Sequence, residues 1–114
     1  MGKRIIQVNK LIREELSQII LKEAEFPSGT LVTLTRVETS VNLSRSRIYI
    51  SCLPSSMAKR VFQILNRQIY ELQQKLNQRL RMRPVPRIVF IEERETAKAG
   101  QIEKLLEEVK RGRD

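Results

Sequence analysis

Histidine and tryptophan are absent from this chain of 114 residues, cysteine occurs once, and three Phe and two Tyr are its only aromatic residues. Without His the commonest acid–base group near neutral pH and the commonest metal ligand are missing. Cys52 alone can form neither an internal disulfide nor a zinc cluster, and its place in the alternating "RIYISCLP" marks it as a small buried residue suited to a reducing cytosol. The four glycines, Gly2, Gly29, Gly100 and Gly112, are too far apart for a glycine-rich phosphate loop. No apolar run approaches the roughly 20 residues of a membrane span, and charges interrupt the N-terminal "MGKRIIQVNKLIREEL", so no signal peptide is expected there. Ile6 stands where N-myristoylation calls for Ser or Thr. The serines of "SCLPSS" have no base beside them, and the pairs Glu14–Glu15, Glu92–Glu93 and Glu107–Glu108 read as solvated carboxylates. No enzymatic chemistry, cofactor or metal is expected.

Positive charge is abundant. Lys and Arg number 22 against 13 Asp and Glu, a formal charge of +9 with a pI near 10.3, a balance that raises the odds of a polyanionic partner. The excess is concentrated: Lys59, Arg60, Arg67, Lys75, Arg79, Arg81, Arg83 and Arg87 face one acid, Glu71, whereas the stretch from Ile88 onward is nearly neutral. Six of those eight cations are arginines, whose planar fork suits bidentate phosphate contacts. Aromatics are too few for reading unpaired bases by stacking. Phe62 and Phe90 fall on apolar faces, and Tyr49, on the Arg45–Arg47 face of a strand, reads as a stacking platform or as a half-buried strand tyrosine. Phosphate contacts to a folded RNA fit this composition best.

Apolar spacing gives the order of elements. Ile5, Val8, Ile12, Leu16, Ile19 and Ile20 predict a helix from Lys3 to about Glu23, ended by Pro27 and Gly29. A hairpin is expected over about 30–52, with Asn42 as its turn residue. After Pro54, with Ser55 or Ser56 as N-cap, Val61, Leu65, Ile69, Leu72 and Leu76 share one sector of a long helix. That helix must bend or end before Arg79 and Arg83 rotate into the apolar sector. In "RLRMRPVPRIVF", Pro84 and Pro86 lead into a third strand, and Ile102, Leu105, Leu106 and Val109 predict a last helix over about 97–111. The class is α+β in one domain, 1–114, with a core of about 4–92.

"VETSVNLSRSRIYIS" followed by "LRMRPVPRIVF" resembles the ribosome-binding factor A family. Val37, Glu38, Ser40 and Leu43, then Ile48, Tyr49 and Ser51, then Leu80, Arg81, Arg83, Val85, Pro86, Ile88 and Phe90 carry the likeness, and "VNKLIREELSQII" is similar to the family's first helix. The resemblance covers roughly residues 4–106. It implies a type II KH-like domain of order α–β–β–α–(α)–β with a three-stranded sheet. It also implies binding to the immature small (30S) ribosomal subunit, help in late assembly and 16S rRNA maturation, a role in growth at low temperature, and no enzymatic activity. Asn42 and Ser46 replace the usual Asp and Ala, and Gln7 a commonly basic residue. Gln68, Ile69 and Tyr70 stand where the family has an Ala-x-Gly helix kink, which leaves a longer continuous helix as the alternative there. The Gly-x-x-Gly loop of other KH domains is absent, as it is from this family.

On that reading Lys59, Arg60, Arg67, Lys75, Arg79, Arg81 and Arg83 supply phosphate contacts to rRNA, Arg45 and Arg47 extend them across the sheet, and Lys3, Arg4 and Lys10 add an N-terminal contact. A cytoplasmic monomer is expected. Two other readings remain: a basic protein-interaction or dimerisation module pairing through the long helix and "QIEKLLEEVK", and a membrane-surface binder, for which no clear apolar patch is apparent.

Overall fold

The computed structural model describes residues 2–93; the helix expected over about 97–111 lies outside them. The first apolar stripe forms helix α1, Gly2–Glu23, and buries Val8, Ile12, Leu16, Ile19 and Ile20. Past Pro27 the chain reverses at Gly29, whose φ of 79° is open to glycine at no steric cost, and the Thr30 N–H closes the turn on the Pro27 carbonyl at 3.2 Å.

Strands β1, Leu31–Thr39, and β2, Arg45–Leu53, pair antiparallel, and β3, Arg87–Glu92, lies parallel to β2, giving the order β1-β2-β3. The uneven alternation of the first strand has a local cause. The register shifts between Leu34 and Arg36, so that Leu34 and Val37, three apart, both face the core. In the hairpin turn the left-handed residue is Leu43, φ 60°, while Asn42 shapes the loop through its side chain, whose Oδ1 accepts from the Ser44 N–H at 3.1 Å and the Ser40 hydroxyl at 2.7 Å. Ser46 is fully buried, its hydroxyl satisfied by Thr39 Oγ1 at 2.7 Å.

The long helical segment is broken. A 3-10 turn, Ser55–Met57, precedes α2, Ala58–Arg67, and α3, Ile69–Arg79. Ser55 and Ser56 lie within that turn and cap neither element with a side chain. Gln68 leaves helical geometry at φ −99°, ψ 7°, with its N–H shared between the Ile64 and Leu65 carbonyls. Its side-chain Nε2 donates to the Glu23 carbonyl at 3.2 Å, satisfying one orphan acceptor at the end of α1. The kink therefore exists without Ala-x-Gly, tied by an amide to a neighbouring helix. Val61 and Leu65 on α2, and Leu72 and Leu76 on α3, are buried against α1 and one face of the sheet; Ile69 is half-buried. The ties Glu23–Lys75 and Glu15–Arg79 show that α1 and α3 run antiparallel. Leu80, extended at ψ 144° and 2% exposed, is the last core residue before the chain turns outward.

The sheet face turned away from the helices carries an ionic network. Glu38 accepts from Arg47 and from the Tyr49 hydroxyl, each at 3.1 Å, and pairs with Arg36. The Arg36 guanidinium lies 3.8 Å from the centre of the Tyr49 ring, and its Nε reaches Glu93 at 2.8 Å. The expectation of a solvated Glu93 is thus corrected: the residue is 4% exposed, and the Thr35 hydroxyl donates to it at 3.0 Å. For Glu38, partial desolvation pushes the carboxyl pKa upward, but the donors Arg47 and Tyr49 and the charge of Arg36 outweigh it and hold the pKa below the ordinary value.

Two expectations follow. Truncating Leu72, fully buried between α3 and the core, to Ala should cost about 2–5 kcal/mol in chemical denaturation without changing the fold. The depressed carboxyl of Glu38 contributes stability above its unfolded pKa of about 4.3, and that contribution is lost as pH falls through the lower folded value. Denaturation midpoints measured between pH 7 and pH 3 should therefore fall less steeply in Glu38→Gln than in the native chain. Parallel curves would remove Glu38 from the acid response.

Candidate nucleic-acid interface

The segment "RLRMRPVPR" becomes a corner between α3 and β3, and one side chain holds it. Gln73, half-buried on α3, donates through Nε2 to the Pro86 carbonyl at 3.1 Å and accepts the Ile88 N–H on Oε1 at 2.9 Å. On the other edge of β3 the Arg87 N–H donates to the Ser44 carbonyl at 3.0 Å. Buried Leu80 and Pro86 pin the two ends of the loop.

The four arginines of the corner have different duties. Arg79 spans to α1, donating to Glu15 Oε1 at 3.0 Å and Gln18 Oε1 at 3.3 Å. Arg83 folds back on the Leu80 and Met82 carbonyls at 2.8 and 2.6 Å, stiffening its own loop. Arg81 and Arg87 are exposed and have no side-chain partner among the described residues. Arg87 is missing from the residues that sequence reasoning assigns to RNA; the signal that finds it is its register partner on β2, Arg45. Because α1 runs antiparallel to α3, its N-terminal half extends toward this same end and carries exposed Lys3, Arg4 and Lys10 there.

The remaining cations are elsewhere. Arg60 and Arg67 line a notch at the helix break together with Lys22, Glu25 and Gln68, at the opposite end of α3. Lys75 is half-buried and directed to Glu23 at 3.7 Å. Lys59 lies beside Phe62, Phe90 and Glu92, near the end of β3. Arg47 is tied to Glu38. Fold and register thus gather Lys3, Arg4, Lys10, Arg45, Arg79, Arg81 and Arg83 at one end, and separate them from Lys59, Arg60 and Arg67.

Other chemistries find little footing. Tyr49 is half-buried, one side of its ring covered by Arg36 and its hydroxyl held by Glu38, so its role on the outer face is structural. Burial and the nearby Glu92 charge push the Cys52 thiol above its ordinary pKa, away from the reactive thiolate. Among the described residues no group of side chains is arranged to hold a metal, and no helix is long and apolar enough to cross a membrane.

Residues 4–106 match the family described as ribosome-binding factor A. The ribosome-binding factor A of Chlorobaculum tepidum is 35% identical over 118 residues, covering 100% of this chain and 97% of that protein. That of Chlorobaculum parvum is 34% identical, covering 98% and 95%. Among solved structures, the crystal structure of ribosome-binding factor A from Thermus thermophilus shares the fold, with a TM-score of 0.58 at 22% identity over 82% of this chain and 96% of that one. A homology model of the Thermus thermophilus factor, fitted into a cryo-EM map of a 30S complex, gives a TM-score of 0.55 at 26% identity, covering 73% and 92%. The α–β–β–α–α–β order with a mixed three-stranded sheet is that of a KH-like α+β domain, and the match runs through both its helices and its arginine corner: the chain belongs to the ribosome-binding factor A family.

Proposed function

We propose that this protein binds the small (30S) ribosomal subunit before it is mature, through phosphates of folded 16S rRNA, and assists late assembly and rRNA maturation as a cytoplasmic monomer. The observation that carries this reading is the gathering of exposed cations at one end of the domain, with Arg81, Arg45 and Arg87 unpaired among the described residues on a backbone fixed by Gln73 and the hairpin turn. A related factor fitted into a 30S complex supports the choice of partner.

Such a site works by position. Arginines on a rigid corner neutralise phosphates and release counterions, which supplies affinity without base reading. The surface recognised is a folded RNA shape, consistent with the covered ring of Tyr49. To assist assembly, the factor must bind one conformation of the rRNA more tightly than another, and only that difference shifts the population. A tenfold preference corresponds to about 1.4 kcal/mol.

Binding to purified immature subunits, mature subunits and an unrelated RNA across a salt series tests the reading. The native chain should prefer the immature subunit by about tenfold or more. Arg81→Glu/Arg83→Glu should abolish that preference and reduce the slope of log affinity against log salt by about one for each phosphate that is no longer neutralised. Equal, weak and steeply salt-dependent binding to all three would sink the assembly role.

A further inference from the structure

Two arginines are held side by side with no acid between them among the described residues. Arg45 opens β2 and Arg87 opens β3, and the parallel register sets them directly opposite each other. Neighbouring strands lie about 4.8 Å apart. Alternation puts both side chains on the sheet face away from the helices, since Ser46, Ile48 and Ile88 point into the core. Both are exposed, and neither guanidinium has a hydrogen-bond or ion-pair partner among the described residues. The carboxylates described on that face are engaged elsewhere, Glu38 by Arg36, Arg47 and Tyr49, and Glu93 by Arg36 and Thr35.

Their backbones are fixed on every side. The Arg87 N–H is bonded to Ser44, and its neighbours Pro86 and Ile88 are both held by the Gln73 amide. The Arg45 N–H donates to Ser40 Oγ at 3.1 Å, and its carbonyl accepts the Ser40 N–H at 2.8 Å. Like charges opposed across a sheet are destabilising, and here the ladder prevents the strands from separating to relieve them. Such a pair becomes favourable when one anion stands between the two forks, and the tetrahedral oxygens of a phosphate meet two guanidinium groups well.

We propose that Arg45 and Arg87 form one binding site for a single phosphate of the RNA backbone, gripped by both guanidinium groups at the end of the sheet. This rests on the RNA-binding reading above and gives that surface a defined element that includes Arg87. The free protein holds the two charges in mutual repulsion, and the bound phosphate relieves it.

Arg45→Gln, Arg87→Gln and the double variant test the site against immature small subunits, with thermal unfolding of the free proteins measured alongside. Each single variant should unfold at the native temperature or slightly above it, because a repulsion is removed. Each should bind the subunit about five- to tenfold more weakly, with a salt slope smaller by about one. The double variant should bind scarcely more weakly than either single, since both side chains serve one phosphate. If the native chain binds the subunit and Arg87→Gln binds it equally well, the site is overturned while the broader function stands; if the native chain itself does not bind, the broader function fails with it. Additive losses in the double variant would show two separate phosphates and refute the shared grip. Inorganic triphosphate distinguishes a free ligand from RNA: stabilisation of the native chain but not the double variant, with subunit binding unchanged in all, would assign the pair to free phosphates and overturn the RNA assignment.

Discussion

The amide of Gln73 links a helix to the edge of a sheet. By accepting from the Ile88 N–H and donating to the Pro86 carbonyl, it occupies the place that a further strand would take along the beginning of β3. Net hydrogen bonds of this kind contribute about 1 kcal/mol each, while a buried group left unpaired costs about 1–3 kcal/mol. The geometric consequence is larger than the energy. With β3 fixed to β2 on one edge and to α3 on the other, the loop from Leu80 to Pro86 has little freedom. Arg81, Arg83 and Arg87 are presented from a frame rather than from a flexible arm.

A second side-chain amide does related work at the other end of α3. Gln68 breaks the long helix while capping α1 at the Glu23 carbonyl, so the bend is set by a tertiary bond. The two glutamines thus hold the ends of one 11-residue helix, one against α1 and one against β3. Between them Leu72 and Leu76 are buried.

Charge on this protein is sorted by whether it has an internal partner. Arg36, Arg47, Lys75 and Arg79 are tied to Glu93, Glu38, Glu23 and Glu15, and they join elements of the fold. Arg45, Arg81 and Arg87 have no such partner among the described residues. A guanidinium already matched by a carboxylate gains less from a phosphate than one facing water, so the partnerless set is the better guide to an RNA surface than the count of basic residues. The Arg36–Tyr49–Glu38 assembly also covers one side of the Tyr49 ring on the outer face of the sheet.

Much of the fold was legible from spacing. The stripe of α1, the sector from Val61 to Leu76 and the strand after Pro86 follow from periodicity. The cost of burying charge led to a bend or end before Arg79 and Arg83 became buried, where α3 runs to Arg79 and ends before Arg83. The shifted alternation of β1 was visible without its cause, because a bulge is defined by the partner strand. The break at Gln68 was not legible in the local residues, since glutamine is a good helix former. The family resemblance placed a kink there as one of two alternatives, and its tie to Glu23 lies 45 residues away in sequence. Glu93 reads as a solvated acid until β1 brings Thr35 and Arg36 across the sheet. By itself the sequence determined that the chain is basic, without histidine, α+β in order, and rich in arginine near one corner. Only the tertiary structure decided which arginines are tied to carboxylates within the described residues, and that Arg45 stands beside Arg87, because ion pairing and strand register depend on distances between residues far apart in the chain.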